Sequence, residues 1–518
     1  MLPALPRRSF LTLAAAATGM VLIGRSGLSR PGTAPPARLP ARLRSVDGRL
    51  ELDLVAEVRN LPIPGVTGPV LTYNGLLPGP LLEVRPGDRV RLQLHNRLGQ
   101  PTNLHYHGLH IPPDGQADNV FLSVPPGGSQ TYSFTIPPDH PAGTFYYHPH
   151  RHGHVADQVF GGLGGVLLVR GGLDDLPELG AVPDEVLFLK DLPADGLTAA
   201  SGGGFGMGPG MGPGMGRGMG PGMNTMLGRE GSVLTVNGSL APDLAIARGG
   251  LLRLRLVNGS NARIWRLALE GHPFHLIATD GGALEAPVEL EELLLAPGER
   301  AEVLVRGDRE GGRFRLLDLP YDRLQGMGGR GMGGGGMGGG PWGWGHHGGM
   351  GRRGPGRGDS AQNPAVLATL RYEGSVAPMA LPRKLLAVEP LPAPSRTRHF
   401  RLSHAMAPGL GMAFLINDRA YAHDRVDTTV RLGETEDWVI TNDGVMDHPF
   451  HVHINPFQVI SRQDIPSAHC AWKDVVLVRP GETVRLRIRF RDFAGRTLYH
   501  CHIFDHEERG MMGILEIA

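Results

Sequence analysis

Cysteine is nearly absent from this chain. Two cysteines in 518 residues cannot build a disulfide framework, so any exported location has to be argued from other features. Charge is sparse and balanced, with 19% charged residues and a formal net charge of +1. That excludes the concentrated basic surface expected of a nucleic-acid binder. Long apolar runs are missing as well. The longest, Leu11 to Ile23, is short against the ~20 residues needed to cross a bilayer. Helical periodicity is absent over any long stretch, which leaves strands to carry the core.

What is present is glycine (78), proline (45) and histidine (23). Arg7 and Arg8 precede the short apolar run, the pattern of a twin-arginine export signal, so residues 1–40 are read as signal and leader. A periplasmic or extracellular location follows as an expectation. From Leu50 onward, runs such as Arg89 to Leu94, Leu252 to Leu256 and Val484 to Phe490 alternate apolar and polar residues. A period of two places one face in a core and the other in water. Turns at Arg85-Pro86-Gly87-Asp88, Ala296-Pro297-Gly298-Glu299 and Arg479-Pro480-Gly481-Glu482 each lead into a strand. Three copies of this unit, in a chain long enough for about three domains at ~150 residues each, predict three β-sandwiches over 41–172, 173–380 and 381–518. The fold class is all-β.

Two low-complexity tracts interrupt the middle third. The first, 201–226, carries Met207, Met211, Met215, Met219 and Met223 at a spacing of four; the second, 326–358, carries Met327, Met332, Met337 and Met350. Their Gly and Pro density rules out a stable helix, so these read as insertions on flexible chain. Thioether sulfur is a soft donor suited to Cu(I), and strictly periodic methionine favours copper contact over a neutral spacer.

Four histidine clusters carry the chemistry: His105-Tyr106-His107, His148-Pro149-His150, His448-Pro449-Phe450-His451-Val452-His453, and His500-Cys501-His502 followed by His506 and Met511. On a strand, residues two apart share a face, so each His-x-His presents two imidazoles together. In the last cluster both imidazoles face one way and the thiolate the other, so one strand serves two metal sites. Cys501 with two histidines and a weak axial methionine is the ligand set of a blue-copper electron-transfer site. His272 and His275 imitate the third cluster but lack its final histidine, and read as a structural echo. His110, His152 and His154 flank complete sets and read as supporting or surface residues. Cys470 has no partner and reads as a small packed hydrophobe.

In these motifs the chain resembles the multicopper oxidases, close to bacterial copper-efflux-type cuprous oxidases and laccase-like enzymes. The resemblance covers nearly all of 41–518. It implies three cupredoxin-like Greek-key β-sandwich domains and four coppers. By resemblance, the type 1 copper takes His448, Cys501, His506 and Met511, and the type 2 copper takes His105 and His451. One type 3 copper takes His107, His148 and His502, and the other takes His150, His453 and His500. Asp114 and Glu507 fit the family's acidic positions for proton supply. Met446, with Asp443 and Asp447, precedes His448 and is the candidate site for a substrate copper ion. The implied activity is one-electron oxidation of Cu(I), or of phenols and aromatic amines, coupled to O₂ reduction. No nucleic acid and no stable membrane span are expected, and a monomer is. The alternatives are a general laccase and a non-catalytic exported copper-binding protein.

Overall fold

Six sheets pair into three sandwiches in the computed structural model, which describes residues 41–197, 226–323, 363–407 and 411–518. The twin-arginine segment and nearly all of both methionine tracts lie outside the described residues. The described residues all fall in one compact unit.

Each sandwich repeats one pairing pattern. In the first, Arg49–Arg59 runs parallel to Arg89–Asn96, which pairs antiparallel with Ser129–Thr135. In the second, Asp184–Leu192, Leu251–Asn258 and Arg300–Arg306 are related in the same way. Arg396–Ala407, Thr435–Asn442 and Thr483–Arg489 repeat it in the third. Successive strands cross between the two sheets of a sandwich, and alternating positions point into a shared core. In the first sandwich that core holds Leu92, Leu94 and Tyr132; in the third it holds Trp438, Leu486 and Phe450.

The register also corrects one detail of the repeat. Ala296 to Glu299 and Arg479 to Glu482 both lead into the third member of the pattern. Arg85 to Asp88 instead precedes the second member, Arg89–Asn96. The matching turn in the first sandwich is Pro125-Pro126-Gly127-Gly128, ahead of Ser129–Thr135. Two neighbouring hairpin-like turns with similar chemistry made the offset invisible to spacing alone.

Two short helices, Val155–Phe160 and Phe504–Glu508, escape periodicity because five or six residues make less than two turns. They pack against one another through Val155, Ala156, Val159 and Phe504. The second brings His506 and Glu507 beside the third sandwich's last strands.

Candidate metal centre

The first and third sandwiches meet along a seam of histidines. Strand His105–His107 pairs with Gly143–His148, setting His105 opposite His148. Strand His448–Val452 pairs with Gly495–Cys501, setting His451 opposite His500 and Phe450 opposite Cys501. All ten histidines of the four clusters that resemblance assigned to copper are buried. Four sets of ligand atoms within 4.8 Å of one another emerge: His105/His107/His451, His107/His148/His502, His150/His453/His500 and His448/Cys501/His506. A fifth combines His105, Asp118 and His453.

In the cysteine set, Sγ of Cys501 lies 3.6 Å from Nδ1 of His448 and 3.7 Å from Nδ1 of His506, and the two nitrogens are 3.2 Å apart. Met511 is fully buried beside them in the same core, its carbonyl accepting the Cys501 N–H at 3.0 Å. Across the strand, Nε2 of His500 lies 3.1 Å from Nε2 of His150 and 3.0 Å from Nε2 of His453. Nδ1 of His107 lies 3.4 Å from Nε2 of His148 and 3.3 Å from Nε2 of His502. An ion held at ~2.0 Å by nitrogen and ~2.3 Å by sulfur, with angles of 110–120°, spaces its ligands by about 3.3–3.7 Å. The two Cys501 spacings and the two from His107 fall in that range, and the His448–His506 and His500 spacings of 3.0–3.2 Å lie just below it.

Orphaned atoms point the same way. Nε2 of His105 and Nε2 of His451 are buried without a hydrogen-bond partner, while the Nδ1 of each ring is anchored. Burying a bare imidazole nitrogen is costly unless something binds it. Burial, with mutual repulsion among the imidazoles, holds His105, His107, His451, His453 and His502 well below the usual imidazole range. Burial likewise pushes the Cys501 thiol well up. Neutral imidazoles are the ligating form.

The supporting shell contains residues that sequence reasoning missed. Nδ1–H of His105 donates to Asp118 at 2.9 Å. Nε2–H of His107 donates to the Asp474 carboxylate at 3.0 Å, and Nδ1–H of His451 donates to the Asp474 carbonyl at 2.7 Å. Burial raises Asp118 to about 8 and Asp474 to about 6. The Tyr146 hydroxyl lies 2.9 Å from Nε2 of His502. Tyr146 precedes His148 by two on one strand, so the period of two could have found it. Asp118 and Asp474 carry no local signal.

Other candidates are placed as follows. Glu507 is buried between His500, 3.0 Å away, and His150, 3.8 Å away. Burial pushes its carboxyl up, but those two imidazoles outweigh it and hold Glu507 at about 2. Asp114 is exposed and is not brought to the cluster; the acid against His105 is Asp118, four residues on, because the loop turns Asp114 outward. Met446, Asp443 and Asp447 do not form one open site. Met446 is 1% exposed within the third core, Asp443 is exposed and pairs with Arg401, and buried Asp447 accepts from the Tyr321 hydroxyl. His272 donates to or accepts from Tyr372, and His275 sits in the second sandwich. His110 binds the Ile454 carbonyl and Asp492. Cys470 is only half-buried and joins none of the buried hydrophobic clusters among the described residues, contrary to its reading as packed core.

Multicopper oxidase family models match residues 55–172, 210–318 and 392–518. The chain belongs to the multicopper oxidase family. It is 28% identical to the multicopper oxidase mco of Staphylococcus epidermidis, over 86% of this chain and 84% of that one. It is 30% identical to the cell division protein FtsP of Dickeya dadantii, over 86% and 85%. Among solved structures, a multicopper oxidase from Campylobacter jejuni, described as a metallo-oxidase, superposes with a TM-score of 0.74. The two are 28% identical, and the match covers 94% of this chain and 97% of that one. The sandwiches of this multicopper oxidase are therefore cupredoxin-like, and copper is the metal its family implies. The donor chemistry agrees, since thiolate with imidazole favours copper over hard cations.

Proposed function

We propose that this chain oxidises a reductant one electron at a time at His448, Cys501, His506 and Met511, and reduces O₂ to water at the histidine cluster. The single observation that carries this is the strand ending at Cys501. Its thiolate faces His448 and His506 while His500 and His502 join two separate histidine sets. A few covalent bonds thus connect an electron-accepting site to an O₂-reducing one. In this reading His448, Cys501, His506 and Met511 would hold a type 1 copper, and His105 and His451 would hold a type 2 copper. His107, His148 and His502 hold one type 3 copper; His150, His453 and His500 hold the other. Bound copper supplies the one-electron redox chemistry and the storage of four electrons for O₂. Asp118 and Asp474 fix which nitrogen of His105 and His107 faces inward, and Glu507 is the carboxylate placed to hand on protons. Domain limits of 41–172, 173–380 and 381–518, and export by the twin-arginine route, complete the reading.

Cu(I) is the favoured reductant. The soft methionine tracts support it, and so does the place where the first tract ends. Nε2–H of His506 donates to the carbonyl of Met226 at 2.8 Å, and Arg323 donates to the carbonyl of Leu227. Chain bordering both tracts therefore lies against the electron-accepting set. O₂ uptake with Cu(I) and with a phenol, measured side by side on copper-loaded protein, tests this. A preference for Cu(I), with phenol oxidation rising when the tracts are shortened, is expected. Equal rates would make the enzyme a general laccase. A second reading is a non-catalytic exported copper-binding protein, which would load copper yet consume no O₂; one relative carries the name of a cell division protein and not of an oxidase.

A further inference from the structure

The middle sandwich contributes no member of the four histidine and cysteine sets, yet one of its side chains reaches the seam. Arg300, completely buried, begins the strand after the Pro297-Gly298-Glu299 turn. Its two terminal nitrogens donate to the two Asp474 carboxylate oxygens, each at 2.6 Å. Nε donates to the Thr144 carbonyl of the first sandwich at 3.0 Å, and a terminal nitrogen donates to the Asp280 carbonyl at 2.9 Å. Asp474 in turn accepts from His107 through its side chain and from His451 through its backbone. The Asp280 carboxylate steadies the same peptide, accepting from Asp474 N and Val475 N at 3.3 Å and from Lys473 Nζ at 2.9 Å.

We propose that Arg300 is a positioning residue of the metal seam, orienting His107 and His451 through Asp474, so that the middle sandwich sets the geometry of a site it does not ligate. This rests on the reading that His107 and His451 hold copper. A guanidinium suits the task because its planar fork binds both carboxylate oxygens and fixes the plane of the carboxylate, which an ammonium cannot do. The carboxylate's free direction then selects Nε2–H on His107 and leaves Nδ1 facing inward. Two glycines make room. Gly108, at φ +84°, follows His107, and a Cβ there would collide with both the Arg300 guanidinium and the Asp474 carboxylate. Gly298, also at φ +84°, backs the His502 ring, where a Cβ would come within 2.9 Å. A buried ion pair is in itself weak evidence of stabilisation, whereas one that fixes a ligand's orientation has a use that a hydrophobic pair could not replace.

The test compares full-length wild type with Arg300→Met, Arg300→Lys and Asp474→Asn. The readouts are copper content under chelator competition, the blue absorption of the Cys501 copper, and melting of the copper-free proteins. Arg300→Met should keep the blue absorption while releasing the remaining copper at chelator concentrations about 10–100-fold lower. Arg300→Lys should restore part of that loss. The Arg300→Met/Asp474→Asn double variant should lose no more than the worse single one, because the two act as one unit. Cluster copper held by Arg300→Met as tightly as by wild type would overturn the proposal. So would loss of all copper in parallel with a lowered copper-free melting point that Arg300→Lys does not relieve. Wild type that takes copper only at Cys501 would instead remove the cluster reading itself, and the proposal with it.

Discussion

Two buried polar seams join the sandwiches, and they are built on opposite principles. Between the first and second sandwiches, Arg253 and Arg255 share Glu302, with contacts of 2.8 and 2.9 Å, and both reach Asp174. Arg255 and Arg170 meet at Asp184, each at 2.8 or 2.9 Å, and the Thr144 hydroxyl donates to Glu302 at 2.6 Å. No buried side-chain atom of Arg253, Arg255 or Glu302 lacks a partner. Between the first and third sandwiches, by contrast, His105 and His451 are each anchored through Nδ1 and keep a buried Nε2 with no partner at all. The first seam is complete within the chain and acts as a staple. The second is complete only with an added ligand. Satisfied and unsatisfied polar burial thus separate structure from chemistry more clearly than burial alone.

Removing one charge from the complete seam should have the largest effect. Glu302→Gln leaves two buried guanidiniums short of a carboxylate and should cost about 3–5 kcal/mol, read by denaturant unfolding, with copper content unchanged in the protein that remains folded. Acid should attack the same seam. Burial pushes Glu302 up, but Arg253 and Arg255 outweigh it and hold Glu302 at about 2, below its ordinary 4.5. A depressed carboxyl contributes stability that is fully present above pH 4.5 and is lost as pH falls toward 2. At 1.36 kcal/mol per unit, this is roughly 3 kcal/mol, and Glu302→Gln should flatten that part of the stability–pH curve of copper-free protein. At the incomplete seam the balance reverses. Asp118→Asn should weaken copper retention about 10–100-fold while shifting the copper-free melting point little. A large melting shift there would erase the contrast. Smallest of all, Met446→Leu should cost under ~1.5 kcal/mol as a volume-conserving core exchange. It should also leave KM for Cu(I) unmoved, since Met446 is packed in the core; a raised KM would return Met446 to the substrate site.

Much of the site was legible because strand geometry is local. His500, Cys501 and His502 reveal their opposite faces from a period of two, and paired His-x-His motifs need no tertiary knowledge to suggest shared metals. The repeat was legible too, though with its first copy displaced from Pro125–Gly128 to Arg85–Asp88, because two similar turns compete within one sandwich. The supporting residues were not legible. Asp118 and Asp474 lie far in sequence from the nitrogens they bind, or in a loop where Asp114 looks equally suitable. The helix carrying His506 and Glu507 is too short for a periodic signal.

By itself, then, the sequence determined the all-β class, the donor types and their pairing along single strands, since each follows from the chemistry and alternation of adjacent residues. Tertiary structure decided which histidines from opposite ends of the chain share an ion-sized space, which carboxylates hold them, and that the middle sandwich reaches in through Arg300. Those are contacts across hundreds of residues, where no period connects the partners and only the packing of three cores brings them together.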